Sequence, residues 1–431
     1  MALSNACLPQ CGIFPSHTQA SCNSGIIFSY YPRAPYFFST DIMKFTSKLP
    51  NVGTTIFTTM SQLATDHKAI NLGQGFPDFN PDSRLLELVS QAMTDGHNQY
   101  PPMAGIPSLR QEIASKMESI HGHAYDWNME ITITSGASEG LMASILAFVG
   151  NGDEVVIIEP FYDLYIPAIE LAGGKPVVVP MLAPDSGNAN YRVDWQRVRD
   201  AITEKTRMMI LNFPHNPTGI CLQRSDIEAL ESIVEQTGIL LLSDEVYEHL
   251  VFDGHEHLSL ARSPLLAAHT IAVFSFGKTY SATGWKIGYC CAPRELTAEI
   301  RKVHQFMVFT VTSPMQFGLA EYMKDPQPYR DLPPFYQQKR DRLAHGLANT
   351  RFKPLSSQGT FFLIADYSAI SDQPEADFAR WLTVEHGVGV IPVSAFYRDP
   401  NAKQSNHGLV RFCFAKRDDT LNTAIERLQA V

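Results

Sequence analysis

Residues 206–244 read TRMMILNFPHNPTGICLQRSDIEALESIVEQTGILLLSD. The two ends of this stretch, 206–212 and 238–244, are near-continuous apolar runs, which suit strands buried on both faces. Between them, 225–236 has the spacing of an amphipathic helix. Two doubly buried strands joined through a helix predict a parallel pair covered by helices. The same alternation continues outward. Short apolar or β-branched runs at 131–134, 154–158, 175–180 and 270–276 read as further strands, and 139–149 reads as a helix. The expected fold class is α/β, with a mostly parallel central sheet between helices.

Past about residue 315 the texture changes. Pro326, Pro328, Pro333 and Pro334 punctuate an expected loop, followed by one long amphipathic helix over 335–349. Short strands at 361–365 and 409–414, with helices around them, suggest a smaller α+β domain. The expected organisation is an N-terminal segment over 43–75 packing with the small domain, a large domain over 76–315 and a small domain over 316–431. The first forty residues hold one basic residue, Arg33, no acidic residue and no period of either kind. They match neither a secretory signal nor an Arg-rich transit peptide. Met43 opens a run, MKFTSKLPNVGTTIF, that reads like an ordinary protein start, so residues 1–42 are expected to be a mis-assigned start or a disordered tail.

The bulk numbers exclude several function classes. A length of 431 residues with 45% hydrophobic composition buries a large core, more than one domain's worth. The formal net charge of −10 argues against nucleic-acid binding, which needs a basic patch. No apolar run reaches membrane-span length. The seven cysteines show no metal-ligand spacing and no disulfide framework, which suggests reduced thiols and a cytoplasmic protein. Cys290 and Cys291, inside an apolar run, read as core residues.

Five clusters carry chemistry. Ser275-Phe-Gly-Lys278, followed by Lys286 and Gly288, places a lysine directly after a buried strand. Open α/β sheets bind ligands at such strand ends, and an amine with a lowered pKa there can form a Schiff base with an aldehyde. Ser275 and Lys286 flank it with groups suited to a phosphate. Asp244, in Ser243-Asp244-Glu245-Val-Tyr247-Glu248-His249, ends another apolar strand. A carboxylate there needs a partner, either a protonated pyridine nitrogen or, as an N-cap, the start of a helix. Asn212-Phe-Pro-His-Asn216-Pro-Thr-Gly219 is both a strand end and a turn-former. Thr134-Ser135-Gly136-Ala137-Ser138 before a helix suits a phosphate at the helix N-terminus or an ordinary cap. Arg411, in Leu-Val-Arg-Phe-Cys-Phe, is a cation in an apolar strand. It requires a ligand carboxylate or a buried ion pair.

In their order along the chain, these clusters resemble those of the class I aminotransferases of pyridoxal-phosphate fold type I. The likeness runs from about residue 45 to the C-terminus and is nearest the methionine and kynurenine aminotransferase branch. It rests on LPNVGTTIF, INLGQGFPDF, NQYPPMAGIPSLR, NGDEVVIIEPFYDLY, NFPHNPTG, SDEVYEHL, SFGKTYSATGWKIGYC and HQFMVFTVTSPMQ. The resemblance implies pyridoxal 5'-phosphate (PLP) as cofactor, carried by Lys278, which is also the proton carrier. It implies Asp244 on the pyridine nitrogen, Asn216 and Tyr247 on the phenolic oxygen, and Tyr162 against the ring. Ala137, Ser138, Ser275 and Lys286 would hold the phosphate. Lys286 stands where the family often has Arg, keeping the charge without the bidentate fork. Tyr100 resembles the tyrosine that reaches a neighbouring subunit's phosphate, which implies a homodimer with shared sites. Arg411 and the backbone of Gly75 would take the substrate carboxylate.

Aspartate-type relatives use a second Arg near 304–317, and this sequence has no Arg or Lys there. That stretch is Phe- and Met-rich, with Phe309 the expected pocket contributor. The expected substrates are methionine, phenylalanine, tyrosine, leucine or kynurenine, with a 2-oxo acid as acceptor. His249 and His304 read as supporting residues. A carbon–sulfur β-lyase uses the same scaffold and lysine and is the rival reading. A PLP-binding regulator would carry a DNA-binding domain ahead of this part, and no helix-turn-helix pattern is present there.

Overall fold

In the computed structural model, which describes residues 46–185 and 188–431, every apolar run singled out above is a strand. Strands β1 (Ile70–Asn71), β2 (Ile131–Thr134), β3 (Glu154–Glu159), β4 (Lys175–Pro180), β5 (Thr206–Asn212), β6 (Leu240–Asp244), β7 (Thr270–Ser275) and β8 (Gly288–Cys291) come first along the chain. All but β1 join one seven-stranded sheet in the order β2-β8-β7-β6-β5-β3-β4. Only β8 runs against its neighbours. The expectation of a mostly parallel sheet is met.

Both faces of the sheet are covered, as the unbroken apolar runs require. On one face Met209, Leu211 and Leu241 pack with Leu230, Ile233 and Val234 of helix Arg224–Thr237. That helix starts in a capping box between Gln223 and Asp226 and ends at Gly238, whose φ of 64° lets it close the C-terminus. On the other face Met208, Ile210 and Leu242 pack with Leu141 and Ile145 of helix Gly136–Phe148. Cys290 and Cys291 are free thiols buried in the core, as is Cys413 elsewhere.

The C-terminal third adds β9 (Lys353–Pro354), β10 (Phe362–Asp366), β11 (Val388–Gly389), β12 (Ile391–Pro392) and β13 (Leu409–Cys413). Four of them form an antiparallel sheet in the order β12-β13-β10-β9, while β11 pairs in parallel with β1. The long helix spans Leu332–Ala348, so it starts earlier than the prolines suggested. Pro333 and Pro334 sit in its first turn, where the missing N–H costs nothing, and Pro328 lies in a short helix, Gln327–Arg330. Residues Ser47–Val431 make one compact unit. The expectation for residues 1–42 lies outside the described residues. Among the described residues no helix is long and apolar enough to cross a membrane, and no side-chain cluster suits a metal ion.

Candidate active site

A cavity of about 380 Å³ opens at the C-terminal ends of β5, β6 and β7, where an open α/β sheet presents loops and helix starts to a ligand. Its lining includes Gly75, Ala137, Ser138, Tyr162, Asn216, Asp244, Tyr247, Ser275, Lys278, Lys286 and Arg411. Folding thus gathers residues from Phe57 to Arg411 into one volume.

Asp244 terminates β6 with its carboxyl buried. Tyr165 donates its hydroxyl to Oδ2 at 2.7 Å, and Asn212 Nδ2 donates to the Asp244 carbonyl at 2.9 Å. Burial pushes the carboxyl up to about 6, against the pull of the Tyr165 hydrogen bond and the Lys278 charge. The N-cap alternative fails, since the backbone contact to Val246 N is 3.4 Å long and no helix follows. Facing it, Lys278 sits in the short turn Phe276–Thr279 after β7, and its Nζ donates to the Gly75 carbonyl at 3.0 Å. Burial lowers this amine to about 8, and the Arg411 and Lys286 charges act in the same direction. Acid and amine are each driven toward the neutral form, as expected where an enclosed site awaits a charged ligand.

Arg411 lies in β13, fully enclosed, with its guanidinium 3.8 Å from the Phe362 ring centre and 4.6 Å from that of Phe396. Nη1 donates to Asn216 Oδ1 at 2.6 Å and Nη2 to the Gly73 carbonyl at 3.0 Å, while the buried Nε has no partner. Among the described residues no carboxylate lies within ion-pair distance, so the ion-pair alternative is excluded. Burial lowers its pKa to about 10. Asn216 turns its oxygen to Arg411, which can only donate, and so leaves its Nδ2 uncommitted. The Asn216 N–H is held in turn by Asn212 Oδ1 at 2.9 Å.

The opposite end of the cavity has the chemistry that suits an anion. Helix Gly136–Phe148 starts there with free N–H groups. Lys286 Nζ lies 3.3 Å from Ser138 Oγ, with the Lys286 backbone at a φ of 54°. A Cβ on Gly288 would stand 2.5 Å from the Phe274 carbonyl and 2.9 Å from Ala137 N, so only glycine lets the helix start approach β7. Tyr162 lines the cavity while its neighbour Phe161 is in the core. Burial raises the Tyr162 hydroxyl to about 12, and the Tyr247 hydroxyl is raised as well.

Two predicted site residues are elsewhere. Tyr100 is 81% exposed and Phe309 48% exposed, and their rings meet edge to face at 5.3 Å outside this cavity. His249 is buried against the Tyr329 ring, and His304 is buried beside Glu139. Sequence reasoning missed Tyr165, Asn212, Asp163, Phe57 and Phe362, which line or brace the site. Only Asn212, at the strand end next to Asn216, carried a visible signal.

A mostly parallel sheet whose strand ends bring an amine and a carboxylate to face a buried arginine with no carboxylate partner forms a site suited to small amino- and carboxyl-bearing molecules. The family model for class I and II aminotransferases matches residues 67–428. The methionine aminotransferase of Escherichia coli (strain K12) is 47% identical, an alignment covering 89% of this chain and 97% of that protein. Human kynurenine–oxoglutarate transaminase 3 is 35% identical, covering 90% and 91%. The solved N-succinyldiaminopimelate aminotransferase of Mycobacterium tuberculosis has a TM-score of 0.86 at 40% identity, covering 90% of this chain and 100% of that one. The chain belongs to the class I and II aminotransferases. It is an enzyme of the PLP-dependent kind, moving an amino group from an amino acid to a 2-oxo acid.

Proposed function

We propose that this aminotransferase takes apolar and aromatic L-amino acids, methionine first and then phenylalanine, tyrosine, leucine and kynurenine. The observation that carries the reading is the charge inventory of the cavity. Its only cationic linings among the described residues are Lys278, Lys286 and Arg411, and of the lining rings Phe57 and Phe362 pack against Arg411 while Phe76 completes the apolar wall. One arginine serves the α-carboxylate, and no further cation among the described lining residues is left for a side-chain carboxylate.

The residues present fit PLP. The glycine-lined helix start with Ser138, Ser275 and Lys286 suits its phosphate, and Asp244 suits its pyridine nitrogen. Asn216 Nδ2 and the Tyr247 hydroxyl are donors for its phenolic oxygen, and Tyr162 supplies a flat face. Bound there, PLP supplies an electron sink for the bond broken at the substrate's α-carbon. The chain's own part is positional and acid–base. Arg411 grips the carboxylate through its fork and fixes the α-carbon over Lys278. The Lys278 amine, already low in pKa, takes the α-proton and returns it on the other side of the transfer. Asp244, braced by Tyr165, keeps the ring nitrogen protonated.

The same reading divides the unit into a cofactor-binding part over 76–315 and a smaller part over 316–431 that carries Arg411, with 43–75 packed on the latter. It makes the working form a cytoplasmic homodimer, in which Tyr100 and Phe309 serve the neighbouring subunit's site. Kinetics are ping-pong. The test is an absorbance titration of the PLP-loaded protein with methionine, phenylalanine, kynurenine or aspartate and no acceptor. The long-wavelength band bleaches with the first three and only poorly with aspartate. Equal bleaching by aspartate or another acidic donor overturns the pocket reading. An unbleached band with pyruvate released from a cysteine conjugate replaces it with the β-lyase.

A further inference from the structure

Outside the cavity, Glu139 and His304 form a buried ionisable pair not used above. Glu139 sits in the first turn of the helix that starts the anion site. Its Oε2 accepts from Ser135 N at 3.0 Å, and its Oε1 lies 3.1 Å from His304 Nδ1. His304 Nε2 lies 3.0 Å from the Met103 carbonyl. A carbonyl only accepts, so Nε2 carries a hydrogen. A carboxylate and a bare Nδ1 would repel, so the Glu139–His304 contact holds one proton between its two atoms.

His304 also sets the course of the backbone just beyond it. Its carbonyl ends helix Arg294–Met307 by accepting from Val308 N at 3.0 Å and Phe309 N at 3.2 Å. Phe309 then adopts a φ of 67°, a conformation that bulky residues rarely take and that surroundings must impose. The strap bearing Tyr100 is tied to the same segment. Thr310 Oγ1 donates to the Pro101 carbonyl at 3.3 Å, Ser313 Oγ to the Gln99 carbonyl at 2.6 Å, and Ile106 N to Gln316 Oε1 at 2.9 Å.

We propose that His304, held between Glu139 and the Met103 carbonyl, is a positioning residue that fixes Phe309 against Tyr100 and so ties the anion-binding helix start of one site to the aromatic wall offered to the other. The inference rests on the reading of Phe309 as a pocket wall. Neither Glu139 nor His304 lines the cavity.

The donor pattern sets the test, made on the full PLP-loaded enzyme. Glu139→Ala cuts the link. His304→Asn keeps a donor toward Glu139 and loses the Met103 arm. Glu139→Gln rebuilds both bonds, its amide N–H donating to Nδ1 and its oxygen accepting from Ser135 N. Two readouts apply: hydrogen exchange of the Val308 and Phe309 amides, and the ratio of kcat/KM for phenylalanine to that for alanine. In Glu139→Ala and His304→Asn the amides exchange faster and the ratio falls roughly tenfold, the cost of one lost buried hydrogen bond in each case. Glu139→Gln stays near wild type in both. Wild-type exchange and ratio in Glu139→Ala overturn the link, as does a Glu139→Gln enzyme as impaired as Glu139→Ala. Phe309→Ala separates the two readings. If it leaves the ratio unchanged, the pocket reading itself fails, whereas a lowered ratio there with wild-type behaviour in Glu139→Ala sinks the link alone.

Discussion

Asp244 and Lys278 show how far burial can push two ordinary groups. The carboxyl rises from 3.8 to about 6 and the amine falls from 10.5 to about 8. Between 3.8 and about 6 the folded apo-protein holds a proton on Asp244 that the unfolded chain has released. Its contribution to stability therefore falls as pH rises across that window. Asp244→Asn removes the penalty, and calorimetry of the apo-protein should show a higher Tm than wild type at pH 7 but not at pH 4. With Asp244 in its proposed place opposite the ring nitrogen, the same substitution should slow the amino-transfer half-reaction by on the order of 10²-fold or more, because that charge is gone. For Lys278 the amine is charged below about 8 and free above it. Stopped-flow loading of apo-protein with PLP should accelerate as pH rises through that value and then level off. Tyr165 is the quieter participant. Tyr165→Phe leaves a buried carboxylate short of a donor, at roughly 1–3 kcal/mol. Asp244 should then titrate higher, and PLP affinity should fall in an equilibrium titration.

At the level of elements, the anion site depends on a close approach between helix Gly136–Phe148 and the strand pair β7 and β8. Gly288 marks that approach, with the Phe274 carbonyl on one side and Ala137 N on the other. A methyl there meets backbone on both sides, which cannot yield as a flexible side chain would. Gly288→Ala should cost roughly 1–3 kcal/mol in stability and weaken PLP binding at the same time, readable as a lower apo Tm and a right-shifted titration. A lower Tm with unchanged PLP affinity would mean that the helix start does not bind the phosphate. Elements are also where the sequence reading erred. Four prolines between 326 and 334 suggested a loop, yet two of them open the helix Leu332–Ala348. Proline terminates a helix from inside but is well suited to its first turn, and composition does not distinguish the two.

For the molecule as a whole, the exposed Tyr100–Phe309 ring pair is the informative surface. If it completes a neighbouring subunit's pocket, two defective chains should rescue each other. Lys278→Ala homodimers lack the amine, and Phe309→Arg homodimers carry a misplaced cation in both pockets. In a mixed dimer one site combines an intact Lys278 with an intact Phe309. Re-equilibrated equal mixtures should recover about a quarter of wild-type activity on phenylalanine, from half the dimers being mixed and one site in each being whole. No recovery above the sum of the parents would assign Phe309 to its own subunit's site or to none.

The alternation of doubly buried strands with amphipathic helices was legible from the chain, because burial on two faces leaves no room for polar residues in a strand such as TRMMILN. Lys278, Asp244, Asn216 and Arg411 were legible for a related reason: a polar group at the end of, or inside, an apolar strand has to be accounted for. The supporting contacts were not. Tyr165 beneath Asp244, Phe362 under Arg411 and His304 between Glu139 and Met103 are ordinary residues in ordinary surroundings until the fold closes. Glu139 and His304 lie 165 positions apart, and nothing local in either segment encodes the other. Local pattern records what each residue must bury, whereas which buried groups meet depends on how helices and strands from distant parts of the chain pack, and those meetings set the protonation and aim of the groups that line the cavity.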